Sequence, residues 1–516
     1  MPKKKTPLIL IVLDGWGLSD KKEGNAISLA KTPFYDGLLK KFPNTSIFAH
    51  GKHVGLPDGQ IGNSEAGHMN IGAGRLVEQD VVKISKSIDN GTFYKNAAFL
   101  EIINHVKKNK SGLHLMGLIS NGMSPHSDPG HLFALLELAR KKKVSKIYLH
   151  LFTDGRDSPR YASLNLVHEL EKKLKKNEKI VSIMGRFYAM DRKKDWERTE
   201  KSYNMLVLGE GIKTENAKEA ITQAYNRGES DEYIKPSIVG DDKGSRISNN
   251  DGIIFFNLRS DRARQLAKTF VQSKFHLQNE NSFKLKRKLK NIHFVSMTDF
   301  GPDLGNIFTA YPSVDLKETL PMVLEGHRQL YLAETEKYAH VTYFFNGGYP
   351  GIVDGEDQKM IPSPHVEKYN KTPAMSSEGL TKHILKTIAK NKYEFTMVNF
   401  AAPDMVGHTG DLNAGIKCCE AIDRSLKRIV PAYLKKGGAV MVTADHGNIE
   451  KMLNPKTKEI YTEHTTNKVP FIFISKNNKV ELKRSGALCD MAPTVLDFFE
   501  IKKPKLMTGR TLISKK

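Results

Sequence analysis

Short apolar runs recur along the chain, and each breaks off abruptly into a polar loop. The run 8–13 meets Asp14-Gly-Trp-Gly17, 146–152 meets Thr153-Asp-Gly-Arg-Asp157, and 180–184 meets Gly185-Arg-Phe-Tyr-Ala-Met-Asp-Arg192. Further on, 253–256 leads to Asn257-Leu-Arg-Ser-Asp-Arg262, 395–400 to Ala401-Ala-Pro-Asp404, and 439–443 to Ala444-Asp-His-Gly-Asn448. Runs of this length, rich in β-branched residues and bounded by glycine-containing loops, predict buried strands. Amphipathic stretches such as 131–142 and 377–390 predict helices between them. Strands alternating with helices predict an α/β architecture with largely parallel sheets. In such sheets ligands bind beyond the carboxyl ends of the strands, where all these polar loops fall.

The loops divide by chemistry. Those near the N-terminus and in the last quarter carry Asp, His and Ser, whereas those between about 120 and 265 carry Arg with accompanying Asp. If the first set meets in space, the middle of the chain interrupts a domain. The expectation is a discontinuous domain of 1–77 and 310–516, an inserted α/β domain of 80–305, and linkers near 78–80 and 298–310.

Composition narrows the picture modestly. With 516 residues, 39% hydrophobic and 27% charged, the chain reads as soluble and able to build more than one core. No apolar run approaches the ~20 residues of a membrane span. The run 8–13 behind Met-Pro-Lys-Lys-Lys is short and lacks a cleavage site, so it reads as a strand and not a signal peptide. Of the three cysteines two are adjacent, and no C-x-x-C spacing occurs, which predicts neither disulfides nor a thiolate metal site and suits the cytoplasm. A net charge of +23 suits either a polyanion partner or solvated lysine, as in the runs 141–143 and 284–290. Without a helix-turn-helix, zinc-finger or aromatic RNA-binding signature, solvated lysine is the better account.

Asp14, Asp404, His408, Asp445, His446 and His464 are candidate metal ligands. Taken singly, Asp14 and Asp404 read as turn or capping carboxylates and His464 as a loop histidine. Three strand ends converging on the same chemistry favour metal. Carboxylate and imidazole without thiolate suit Mn²⁺ or Zn²⁺, and two ions ~3.5–4 Å apart would use all the candidates. Ser64, in Gly62-Asn-Ser-Glu-Ala-Gly-His-Met-Asn70, reads in isolation as a helix cap. The same position at a helix start attracts phosphate, and a metal on its oxygen would make it a nucleophile.

Asp154, Arg156, Asp157, Arg186, Arg192, Arg259, Arg262 and Lys337 form a second, basic set. The guanidinium fork binds carboxylate and phosphate with paired hydrogen bonds, and an interspersed aspartate suits hydroxyls. Surface salt bridging explains any one of these arginines; it explains four poorly.

Together these motifs resemble the cofactor-independent (2,3-bisphosphoglycerate-independent) phosphoglycerate mutases of the alkaline phosphatase superfamily. The segments that carry the resemblance are Leu13-Asp-Gly-Trp-Gly17, Gly62 to Asn70, Asp154-Gly-Arg-Asp157, Gly185 to Arg192, Asn257 to Arg262, Ala402-Pro-Asp-Met-Val-Gly-His408 and Thr443-Ala-Asp-His-Gly-Asn448. In this order they span nearly the whole chain. The resemblance implies two Mn²⁺ ions, with other divalent ions accepted: one held by Asp404, His408 and His464, the other by Asp14, Ser64, Asp445 and His446. It implies substrate contacts from His126, Arg156, Asp157, Arg186, Arg192, Arg259, Arg262 and Lys337. One departure stands out. Where the family reads Gly-Val-His-Ser-His, this chain reads Gly122-Met-Ser-Pro-His-Ser-Asp128, a loop one residue longer.

The implied reaction interconverts 3-phosphoglycerate and 2-phosphoglycerate through a phosphoserine on Ser64. Lys337 would neutralise the phosphoryl group and Asp157 would position or deprotonate the glycerate hydroxyls. The expected partners are these two substrates alone, with no nucleic acid, no membrane and no second subunit, so a monomer. A phosphatase of the same superfamily would share Ser64 and the metals but would have no use for the arginine clamp. A basic nucleic-acid-binding protein would account for the charge but not for the ligand-bearing strand ends.

Overall fold

The computed structural model describes residues 6–514 apart from 123, 302, 306, 314–315, 455–456 and 477–479. Residues 1–5, Met123 of the variant loop, and Pro302 and Asn306 of the expected second linker therefore lie outside the described residues. The chain folds as two compact units, one made of 1–79 with 314–516 and the other of 80–313. Both are α/β, and each is built on an eight-stranded, mostly parallel sheet.

In the first unit the strands lie in the order Glu356–Ile361, Gln329–Glu334, Phe395–Phe400, Leu8–Leu13, Ala439–Thr443, Val469–Ile474, Asn44–Phe48 and Ser485–Ala487. The first five run parallel. Leu8–Leu13 is central and buried at every position, because helices cover both faces of a parallel sheet and leave no polar side. The longest helix, Leu412–Lys435, carries the adjacent Cys418 and Cys419 inward, where burial pushes both thiols far up in pKa. All three cysteines are free.

In the second unit the order is Phe308–Tyr311, His293–Thr298, Gly252–Phe255, Leu113–Leu118, Ile147–Thr153, Glu178–Gly185, Ser237–Val239 and Ile212–Thr214. Phe308–Tyr311 corrects the expected linker at 298–310. Those residues pair in parallel with His293–Thr298 as an edge strand of this sheet, so the unit runs on to 313. The helices forecast at 131–142 and 377–390 are Pro129–Lys141, capped by Asp128, and Ser377–Ala389.

The lysine runs sit at the amino ends of the second sheet's strands. Lys141–Lys143 close the helix before Ile147–Thr153, and the exposed 284–290 run leads into His293–Thr298. Cations at a helix carboxyl end complement its dipole, and these side chains reach solvent. No helix among the described residues is long and apolar enough to cross a membrane.

Candidate active site and metal centre

Of three adjacent parallel strands of the first sheet, Phe395–Phe400 runs into the short helix Ala402–Gly407 bearing Asp404, while Leu8–Leu13 and Ala439–Thr443 end at loops bearing Asp14 and Asp445-His446. Neighbouring strands lie ~4.8 Å apart, so side chains distant in sequence meet. The next strand, Gln329–Glu334, runs into the turn Thr335–Lys337. Lys337, set beside the arginines for its charge, is brought here to the acidic and histidine candidates. Its Nζ donates to Asp14 Oδ1 at 2.7 Å, to Asp404 Oδ2 at 2.6 Å and to Ser64 Oγ at 2.6 Å.

Ser64 is the first residue of the helix Ser64–Ala73, and its neighbour Asn63 is the cap, accepting the Ala66 N–H at 2.9 Å. The hydroxyl is thus released from the capping role that it has in isolation. It turns into the cluster, 2.9 Å from His446 Nε2 and 3.3 Å from Asp14 Oδ1.

Ligand atoms of Asp14, Asp445 and His446 lie within 4.8 Å of one another, as do those of Asp404, His446 and His464. His408 and His464 bring their Nε2 atoms to 3.3 and 3.1 Å from Asp404 Oδ1 and 3.1 Å from each other. In both rings Nδ1 faces a backbone carbonyl at 2.8 Å, Thr462 O for His408 and Gly62 O for His464. A proton on Nδ1 satisfies each carbonyl and leaves a lone pair on Nε2, the tautomer a metal ligand needs. Lone pairs converging on one carboxylate oxygen repel unless a cation joins them. Asp445 Oδ2 is buried without a hydrogen bond, 3.2 Å from His68 Nδ1, which faces the Ser64 carbonyl. These donors fit divalent metal.

Charge decides protonation here. Burial raises the pKa of Asp14 and Asp404, but the Lys337 ammonium, joined by His446 at Asp14 and by His408 and His464 at Asp404, holds both far below the carboxylate range. Burial also disfavours imidazolium at His446, yet Asp445 and Asp14 hold its pKa up at about 9.

The second sheet has its own convergence. Beyond the ends of four adjacent strands, Gly252–Phe255, Leu113–Leu118, Ile147–Thr153 and Glu178–Gly185, come Arg259 and Arg262 at the start of the helix Ser260–Val271, His126, Asp154 to Asp157, and Arg186, which opens the helix Arg186–Ala189, with Arg192 after it. Arg186 is buried and pairs with Asp154 at 2.5 Å and Asp157 at 2.6 Å, while its Nε has no hydrogen-bond partner. Arg192 pairs with Asp261 at 2.7 Å. Arg156 lies 3.6 Å from Glu232. Arg262 donates to Met190 O at 3.3 Å, and burial with the charges of Arg186 and Arg192 lowers its pKa to about 10. Burial, then the charges of Arg259, Arg186, Arg262 and Arg192, keep His126 neutral, and its Nδ1 is buried without a partner. In the variant loop Ser124 donates to Asp157 Oδ2 at 3.0 Å. The cluster is a cationic surface with orphaned donors, suited to a small anion bearing hydroxyls.

The family model of the metalloenzyme superfamily matches residues 6–503. The 2,3-bisphosphoglycerate-independent phosphoglycerate mutase of Clostridium kluyveri is 45% identical over 99% of both chains. A Methanosarcina barkeri protein of the same name is 46% identical over 100% of this chain and 99% of its own. The chain belongs to the 2,3-bisphosphoglycerate-independent phosphoglycerate mutases. A solved phosphoglycerate mutase of Leishmania mexicana, crystallised at low cobalt concentration, superposes with a TM-score of 0.81 at 30% identity, covering 99% of this chain and 98% of that one. As a member of this metalloenzyme family, the chain carries a divalent-metal site.

Several residues that build the mutase site escaped sequence reasoning. Asn399, on the strand beside Leu8–Leu13, donates to Asp14 Oδ2 at 2.6 Å and lies 3.0 Å from His68 Nε2. Asn448 donates to Asp404 Oδ1 at 2.8 Å. Glu450 lies two residues past the quoted segment that ends at Asn448. The one available signal was an unexplained polar residue in an otherwise apolar strand (Asn399) or just past a motif (Glu450).

Proposed function

We propose that the chain interconverts 3-phosphoglycerate and 2-phosphoglycerate through a phosphoserine on Ser64, with two Mn²⁺ ions and without bisphosphoglycerate. The observation that carries this reading is Ser64 Oγ itself, exposed by the Asn63 cap to Lys337, His446 and Asp14. Asp404, His408 and His464 would hold one ion, and Asp14, Ser64, Asp445 and His446 the other. When bound, the ions supply positive charge that acidifies the serine hydroxyl and offsets charge on the phosphoryl oxygens.

The chain's own residues do the rest. Ser64 Oγ bonds to phosphorus as the bond from phosphorus to the glycerate 3-oxygen breaks. The departing oxygen keeps the electron pair and takes a proton, so the serine proton ends on the glycerate hydroxyl. Lys337 stays protonated beside Asp14 and Asp404 and donates to the phosphoryl oxygens, while the amino end of the helix Ser64–Ala73 faces their charge. Arg156, Arg186, Arg192, Arg259 and Arg262 hold the glycerate with neutral His126, and Asp157 positions or deprotonates its hydroxyls. After glycerate reorients, its 2-hydroxyl takes the phosphoryl group back and returns a proton to Ser64. Water stays excluded meanwhile, or the phosphoserine hydrolyses. The reading extends to a cytoplasmic monomer that binds neither nucleic acid nor membrane; the three free cysteines fit a reducing compartment.

The test is metal-stripped chain with 3-phosphoglycerate, no bisphosphoglycerate, titrated with Mn²⁺ beside Ser64→Ala. Formation of 2-phosphoglycerate by the parent and none by the variant is expected. Unchanged activity in the variant overturns the phosphoserine. Release of inorganic phosphate in place of 2-phosphoglycerate makes the chain a phosphatase.

A further inference from the structure

We infer that Glu450 is the positioning residue that ties together the loops carrying the metal ligands, and that metal affinity depends on it. The inference rests on the metal reading of the site. Glu450 is buried, and its carboxylate accepts hydrogen bonds from four donors. Oε2 accepts the Gly17 N–H at 3.1 Å and the Asn448 N–H at 2.8 Å. Oε1 accepts the Thr465 hydroxyl and the Asn467 side-chain amide, the latter at 2.9 Å.

Every donor lies on a loop that bears a ligand. Gly17 follows Asp14, Asn448 follows Asp445 and His446, and Thr465 and Asn467 follow His464. Asn448 passes the constraint on, because its side chain donates to Asp404 Oδ1 at 2.8 Å. Its backbone N–H and that of Ile449 also reach Gly15 O, at 2.9 and 3.0 Å. One carboxylate thus fixes residues beside ligands of both groups.

Space around the carboxylate has been cleared for it. A Cβ at Gly17 or Gly447 would overlap the Glu450 carboxylate, and one at Gly407 would overlap the Asn448 amide. None of these glycines has a positive φ, so room and not backbone conformation accounts for them. A carboxylate with all its lone-pair directions used by donors is a strong, directional tie. Outer partners of metal ligands typically contribute about 10–100-fold in metal affinity.

The experiment measures the Mn²⁺ dissociation constant of the full chain by calorimetric titration for the parent, Glu450→Ala, Glu450→Gln and Thr465→Val. Thermal unfolding and amide exchange of the metal-free proteins run alongside. Glu450→Ala is expected to weaken binding by about 10–100-fold, with faster exchange in 444–450 and 463–467. Glu450→Gln keeps an oxygen for the Gly17 and Asn448 N–H groups, and its amide faces a hydroxyl and a side-chain amide that can turn to accept. It is therefore expected within about threefold of the parent. A Glu450→Ala chain binding within twofold of the parent overturns the inference, as does a Glu450→Gln chain as weak as the alanine variant. If Glu450→Ala does not fold, Thr465→Val decides, since it removes the Thr465 bond to Glu450 beside His464 and otherwise only a long 3.3 Å bond from the Asn467 N–H: binding weakened severalfold supports the role and unchanged binding overturns it. A parent that binds no Mn²⁺ overturns the metal reading and this inference with it, whereas failed variants against a binding parent overturn this inference alone.

Discussion

Lys337 Nζ lies 2.6 Å from Ser64 Oγ, and the same ammonium touches Asp14 and Asp404, one carboxylate from each ligand group. Replacing it with methionine should separate two effects. Loss of a donor aimed at the transferring group is expected to lower kcat by about 10²–10³. Loss of a competing cation beside the carboxylates is expected to tighten Mn²⁺ binding. Steady-state kinetics at saturating Mn²⁺, with a parallel metal titration, checks both; Lys337→Met with unchanged kcat would place the ammonium outside the reaction.

Metal binding should release protons. In the metal-free chain Asp445 and Asp14 hold the His446 pKa at about 9, above its unfolded value, so this imidazole is protonated through neutral pH. A cation must displace that proton, and apparent affinity should fall about tenfold per pH unit below 9 from this group alone. His408, also raised through Asp404, steepens the loss in acid. Calorimetry in buffers of different ionisation enthalpy counts the protons released, and a pH-independent affinity between 6 and 8 would contradict the assignment.

Arg186 pairs with both Asp154 and Asp157 in a buried position. Arg186→Met strands two carboxylates and should destabilise the second unit by about 3–5 kcal/mol, the usual consequence of breaking a buried pair. Arg186→Lys keeps the charge but not the fork. It should fold, keep parent-like Mn²⁺ affinity, and lose at least about tenfold in kcat/KM. Equal kcat/KM in the lysine variant would remove Arg186 from the substrate clamp.

Much of this architecture was legible in the chain. Buried parallel strands are continuous apolar runs, so Leu8–Leu13 and Ala439–Thr443 announce themselves, and the loops behind them carry the chemistry. The edge strand Phe308–Tyr311 was not legible, because a half-exposed strand of four residues has no such run. Lys337 shares its charge with the arginines, but its partners Asp14, Ser64 and Asp404 come from other loops and helices, which a lone lysine after a strand does not announce. Asn63 and Glu450 escaped for different reasons: Asn63 and Ser64 are equally good caps by residue type, and the four donors to Glu450 come from two loops far apart in sequence and from its own near neighbour.

Glu334 ends the strand Gln329–Glu334 fully buried; Oε2 accepts the Ser363 hydroxyl at 3.0 Å, while Oε1 has no hydrogen-bond partner. Burial pushes its pKa up from 4.5 to about 7. Between these values the folded chain holds a proton that the unfolded chain has lost, so stability from this group falls as pH rises from 4.5 through 7. The full cost above that window is ~3 kcal/mol for a shift of this size. Glu334→Gln removes the ionisation while keeping an oxygen for Ser363, although its amide leaves a buried donor unpaired. The variant should therefore gain about 1–3 kcal/mol over the parent at pH 8 and little or nothing at pH 5, read by denaturant unfolding at both. A gain of the same size at both pH values would mean that the buried carboxyl does not titrate in this range, since only a group that changes charge between them can make the difference depend on pH.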